Sequence, residues 1–382
     1  MRFAELIWKN LFERGARSLL TVLGLAIAVA AITTLWHTAW GYARSANGYY
    51  AAHGVDIVVV RAGVSNRLTS RLSADLSQQV SSVPGVAHVE GVLTEMVSLG
   101  DAKLIGIPLR GYSLANPALE RFQIAEGRKL AVSDRNAVLV GNALAETLGR
   151  HASSKIDVEG RPFEIVGIYL AENPFDANCL VAPLAVVQAL MERPGAVSEF
   201  QVSAAPNVNA DAQLNDLCRA IEALKDDKQT PLGLKAQPTH QFVATASEAR
   251  MGGAMAWGTT ALVVGLSTLA ILNTMLMSVF ERTKEIGILR AIGWRRARVV
   301  RLILGESLVL SAGGAALGAL LAAFLVRFLA HWPRTSLIVS SGPSLTAFAL
   351  GLAVAICTGF VGALYPALHA ASVPPVESLR HE

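Results

Sequence analysis

ERTKEIGILRAIGWRRARVVR, residues 281–301, is the stretch on which the reading of this chain turns. It carries Arg282, Lys284, Arg290, Arg295, Arg296, Arg298 and Arg301 against only Glu281 and Glu285. Ile286, Leu289 and Ile292 recur every third residue, as on one face of a short helix. Gly287 and Gly293 lack a Cβ, so a partner backbone can come close or the chain can turn there. Two readings fit these residues. One is a positively charged loop that only fixes membrane topology. The other is a cytoplasmic coupling element through which a second protein drives this one.

Apolar runs lie on both sides of this stretch. Residues 254–280, 302–330 and 345–368, with 18–40 near the N-terminus, are each long enough to cross a bilayer. The 382 residues are 52% apolar and 16% charged, with a mean hydropathy of +0.43. Soluble domains carry about 25% charged residues, and the deficit here is confined to the four runs. Residues 1–17 place Phe3, Leu6, Ile7, Leu11 and Phe12 at helical spacing beside Arg2, Lys9, Arg14 and Arg17, which predicts an amphipathic helix on the membrane surface. The run 18–40 is too long for a signal peptide and no small-x-small cleavage site follows it, so it reads as a retained anchor with Trp36 and Trp40 at the far interface. Basic residues cluster before the first span and in 281–301, whereas residues 331–343 hold only Arg334. The N-terminus, 281–301 and the 369–382 tail are therefore expected in the cytoplasm, with residues 41–250 outside. The net charge of +4 belongs to topology and to contact with membrane lipids, not to nucleic acid.

Residues 41–250 have the texture of a folded α+β domain. DIVVVRAG (56–63), 103–110 and 136–141 read as strands, and 72–83 and 211–225 as helices. KIDVEGRPFEIVGIYL (155–170) reads as a hairpin turning at Glu159-Gly160-Arg161. A lobe boundary is expected near 110–125 or 195–210. The fold class is thus membrane α-helical, with four transmembrane helices and a large α+β periplasmic domain inserted between the first and second. In the third span, Gly314-xxx-Gly318 puts small residues four apart, as close helix packing in lipid requires. Glu306 opens that span and needs a partner, expected among the arginines of 295–301. Cys179 and Cys218 both fall in the external domain, and spacing leaves a disulfide between them open. His37 and His331 near the outer ends of spans read as polar anchors. No metal-ligand cluster, HExxH, GxSxG or paired-carboxylate motif marks a catalytic centre.

The layout and its motifs resemble the FtsX-like, MacB-type permeases of ABC transporters. The resemblance is carried by ERTKEIGILRAIG (281–293) leading to Glu306, by WKNLFERGARSLLTVLGLAIA (8–28) and by YPALHAASVPPVESLRHE (365–382). AEGRKLAVSDRNAVLVGNALAETLG (125–149) followed by FEIVGIY (163–169) looks like the periplasmic core domain of that family. The resemblance implies an inner-membrane protein working with a cytoplasmic ABC ATPase subunit and a second permease copy, and it admits a periplasmic adaptor. It implies that the 281–293 segment docks the ATPase through Glu281, Arg282, Lys284, Glu285, Ile286, Gly287, Leu289, Arg290 and Gly293. Motion would then pass to the external domain, either to export or extract a substrate or to control envelope enzymes. No G-x-x-x-x-G-K-[ST] loop occurs in these residues, so the chain is expected to be non-catalytic and without a cofactor of its own, with ATP bound by the partner subunit.

Overall fold

A computed structural model of the chain describes residues 15–64, 66–171, 173–208, 210–331 and 344–372. The amphipathic helix expected over 1–17 and the tail over 369–382 lie mostly outside these residues. The described chain divides into two compact units, one holding the membrane helices and the other centred on Gly41–Met251.

Among the described residues, four helices are long and apolar enough to span a membrane: Gly15–Ala52, Ser247–Glu281, Arg296–His331 and Leu345–Ser372. At about 1.5 Å per residue the first three each exceed 50 Å, against about 30 Å of hydrocarbon. Each overruns the apolar run that announced it. The first runs twelve residues past Trp40, because helical backbone bonding does not depend on apolar side chains.

In the membrane unit, Leu25, Ile271, Met275, Val279, Val299, Ile303, Leu310, Ala363 and Ala367 share one core. Gly314 and Gly318 lie against the first helix. A Cβ on Gly314 would sit 2.6 Å from Leu25 Cβ, and one on Gly318 would sit 2.7 Å from the Ala26 carbonyl and 2.8 Å from Val29 Cβ. Ser307 Oγ donates to the Gly359 carbonyl at 2.7 Å, tying the third helix to the fourth. Trp36, expected at the far interface, faces a neighbouring helix. It is buried, its Nε1 donates to Thr260 Oγ1 at 3.0 Å, and its ring meets Trp257 edge-on. A neighbouring helix thus supplies the polar partner that a buried indole N–H needs.

The second unit is built on strands β1 (Ile57–Arg61), β2 (Leu72–Ser73), β3 (Val86–Leu99), β4 (Leu104–Tyr112), β5 (Gln123–Gly127), β6 (Ala137–Gly141), β7 (Lys155–Val158), β8 (Arg161–Leu170), β9 (Leu180–Pro183), β10 (Ala196–Val197), β11 (Glu199–Ala204) and β12 (Leu234–Pro238). Ten of them form one mixed sheet in the order β12-β1-β11-β3-β4-β9-β6-β8-β5, with β7 beside β3 and β8. The β7–β8 hairpin turns at Glu159 and Gly160, both at positive φ, as a two-residue turn requires. Glu159 tolerates that conformation while its carboxylate accepts the Ser98 N–H at 2.6 Å.

Two of the apolar cores on the sheet mark its two lobes. One holds Ile57, Val59, Phe200, Val202, Leu217 and Ile221; the other holds Leu93, Ile107, Leu109, Val138, Val140, Ile165 and Leu180. The chain leaves the first core for the second near residue 92 and returns near 197. The expected boundary at 195–210 is thus close to the return, while 110–125 falls inside one lobe. Strand β3 hides the outward crossing, because its first half pairs with β11 and its second half with β4 without a break. Cys179 and Cys218 are free and buried, and they belong to different apolar clusters. Burial pushes their thiols up to about 11 and about 12.

Glu90 on β3 has a measurable signature. Burial pushes its carboxyl up to about 7, opposed by a backbone hydrogen bond from Ser113. The folded state therefore holds this proton more tightly than the unfolded chain, and stability falls as pH rises from about 4.5 to about 7. Glu90→Gln should stabilise the protein near pH 8 by about 1 kcal/mol, discounted for partial solvation, and change little near pH 5. Thermal unfolding at the two pH values reads the difference.

Candidate functional site

The 281–301 connection folds as a helix, Thr283–Ala291, between the second and third long helices. Its end is a left-handed turn. Gly293 has φ 103°, its N–H donates to the Arg290 carbonyl at 3.0 Å, and the Trp294 N–H donates to the Leu289 carbonyl at 3.1 Å. These paired bonds satisfy the last carbonyls of the helix and reverse the chain. Gly293 is thus a helix-stop, whereas Gly287 is buried within the helix.

Polar ties around this helix reach all four long helices. Arg17 of the first donates to Glu281 of the second at 2.9 Å. Arg282 Nη1 donates to Glu306 of the third at 3.1 Å, and its Nε donates to Glu285 at 3.1 Å. Arg290 donates to the Ala371 carbonyl at 3.1 Å, where the fourth helix ends and its dipole favours a cation. Ile286 and Trp294 pack on the membrane core.

The partner of Glu306 corrects the expectation. It is Arg282, not an arginine of 295–301. Arg301 turns back to its own helix and donates from Nε to the Ala297 carbonyl at 3.3 Å, and Arg298 lies over the Trp294 ring at 4.3 Å. Glu306 is 5% exposed, so its carboxylate sits where an unpaired charge is costly. Ile292 also departs from the expected stripe. Steps of three residues drift by about 60° each on a helix of 3.6 residues per turn, and Ile292 is 76% exposed.

Two populations of side chain result. Arg282, Ile286 and Gly287 face the protein, with Leu289 and Arg290 half-buried, whereas Lys284, Glu285, Ile288 and Ile292 are exposed. Arg295, Arg296, Arg298 and Arg301 extend the exposed face with positive charge. Such a surface, apolar at its centre and cationic at one end, is suited to docking a protein. Among the described residues no three His, Cys, Asp or Glu side chains gather as a metal site. The ties from Arg17 and Arg290 escaped sequence reading, since their partners lie 264 and 81 residues away.

Comparison with known proteins agrees with the motifs. Residues 257–375 match the FtsX-like permease C-terminal family and residues 18–217 the MacB-like periplasmic core domain. An uncharacterized ABC transporter permease of Bacillus subtilis, YvrN, is 26% identical over 98% of this chain and 98% of its own length. The macrolide export ATP-binding/permease protein MacB of Agrobacterium fabrum is 25% identical over 96% of this chain and 58% of its own. The pyoverdine export ATP-binding/permease protein PvdT of Pseudomonas putida is 26% identical over 98% of this chain and 59% of its own. The chain spans less than two thirds of these last two relatives.

Proposed function

This chain belongs to the FtsX-like, MacB-type permeases of ABC transporters, and from that premise we propose that it is the membrane subunit of an efflux or extraction machine driven by a separate ATPase. The observation that carries the reading is the helix Thr283–Ala291, tied inward by Arg282 and presenting Lys284, Ile288 and Ile292 outward. A cytoplasmic ATPase docks on that outward face. Its ATP-driven closure moves the long helices, and the motion reaches the external domain. Two permease copies assemble with two ATPase subunits. The second long helix is well placed for lipid or a second copy, since Trp257, Leu262, Leu266 and Leu269 are all exposed. The cargo is an amphiphile or peptide taken from the outer leaflet or periplasm, where the MacB-like domain lies.

The division of labour along 281–293 gives the test. Ile288→Glu with Lys284→Glu should weaken binding of the ATPase by about tenfold or more, because it puts charge at the centre of the docking face. Co-purification and ATP turnover of the complex read it. Unchanged binding in a folded variant would place docking elsewhere. A complex that hydrolyses ATP and drives a periplasmic hydrolase, with no cargo moved, would make the chain an envelope regulator.

A further inference from the structure

The external domain contains a second organised cluster that takes no part in docking. Arg110 on β4 is 1% exposed. Its Nη1 meets Asp176 at 2.5 Å and its Nη2 donates to the Phe175 carbonyl at 3.1 Å. Its guanidinium lies 4.0 Å from the centre of the Tyr49 ring. The Tyr49 hydroxyl shares a 2.7 Å hydrogen bond with Tyr112 and accepts from Gln201 Nε2 at 2.9 Å. Gln201 also donates to Glu199 at 2.8 Å, and Tyr50 donates to the other Glu199 oxygen at 3.1 Å. Arg67 donates to the Tyr50 hydroxyl at 3.1 Å, and Asn173 donates to the Ser45 carbonyl. His53 lies 3.9 Å from Asp176, and burial lowers its pKa, which favours the neutral ring.

Ser45, Tyr49 and His53 follow at intervals of four, so one face of the last turns of the first helix, with the residue after its end, supplies these contacts. Tyr50 lies beside them on the same helix, and the others come from β4, β11, the short helical turn Arg67–Thr69 and the short helix Pro174–Ala177 with its cap Asn173. Stability alone does not account for such a cluster, since apolar residues of similar volume often replace buried ion pairs without loss. Directional bonds do something apolar packing does not. They admit one rotation and one height of a helix, where apolar contacts allow it to slide or turn.

We propose that this cluster is the joint that fixes the outer end of the first membrane helix to the sheet, with Tyr49, Arg110 and Asp176 as positioning residues for transmitted motion. The transmission part rests on the proposed ATPase coupling. The joint itself does not.

The test uses the full chain in lipid nanodiscs. Cys357→Ser removes the exposed thiol, while Cys179 and Cys218 are buried. Nitroxides at Ala51→Cys and Lys155→Cys, both exposed positions, report the distance from helix to sheet by pulsed electron resonance. The joint requires a narrow distribution in the parent. It should broaden roughly twofold in Arg110→Gln with Asp176→Asn, which removes both charges and keeps polar side chains. Tyr49→Phe removes one hydroxyl and decides the matter if the double variant does not fold; a smaller, resolved broadening is expected. An unchanged width in a folded variant overturns the joint. In the complex with the ATPase, the ATP-dependent change in distance between Lys155→Cys labels on two copies should shrink in these variants while ATP turnover continues. Retention of the full change overturns the positioning role. Absence of any change in the parent complex counts against the coupling reading, and the helix-to-sheet width still decides the joint.

Discussion

Arg282→Ala should destabilise the protein by about 3 kcal/mol and uncouple it from its ATPase. The guanidinium pairs with a carboxylate that is 5% exposed, and its loss removes that ion pair from a buried charge. The cost falls at the lower end of what breaking a buried pair causes, because Arg282 keeps a 14% exposed edge. Arg282→Ala combined with Glu306→Gln should recover all but about 1 kcal/mol, since no charge then remains to desolvate. Glu285→Gln should cost less than about 0.5 kcal/mol, because the other carboxylate on Arg282 is 65% exposed. Thermal unfolding in detergent ranks the three variants, and ATP turnover of the complex reports coupling. A double variant as unstable as Arg282→Ala would show that the ion pair is not the source of the loss.

Gly318→Leu should be strongly damaging within the membrane helices. Its Cβ would lie 2.7 Å from the Ala26 carbonyl and 2.8 Å from Val29 Cβ, so the third helix must move off the first. Such overpacking costs about 1–3 kcal/mol even where neighbours adjust, and here the neighbour is backbone. Low yield and a lowered unfolding temperature are expected. Gly313→Ala is the matched control: its Cβ meets nothing closer than Val22 Cγ2 at 3.9 Å. If both variants behave alike, the effect belongs to glycine in this helix and not to the contact.

The membrane layout was legible because hydropathy is a property of single runs. Each apolar run sits inside one of the four long helices, and a run needs no partner to be recognised. Helix ends were less legible. Gly41–Ala52 looks like domain sequence because it is polar, yet it continues the first helix; its polar groups meet the sheet, which is distant in sequence. That a short helix joins the second and third spans was legible from its charge and the spacing of Ile286 and Leu289, down to the glycine that stops it. Its inward and outward faces were not. Arg282 and Lys284 look equivalent in a list of cations, and only the fold makes one an internal tie and the other a surface charge. The same holds for Arg110 and Asp176. Sixty-six residues separate them, and in the sequence each resembles an ordinary surface residue of a polar domain.

The buried cluster around Tyr49 also says where this protein can be cut and recombined. The external domain is not a cassette that begins where its first strand begins. A chimaera joined at Asp56 would take Arg110 and Asp176 from one parent and the residues at 49 and 50 from the other, so the ring over the guanidinium and the hydroxyl on Glu199 would come from a chain not fitted to them. A chimaera joined at Gly41 carries the whole set together. The heritable unit is therefore the sheet plus the last three turns of the helix that enters it. Exchange of external domains among related permeases should succeed or fail at that seam.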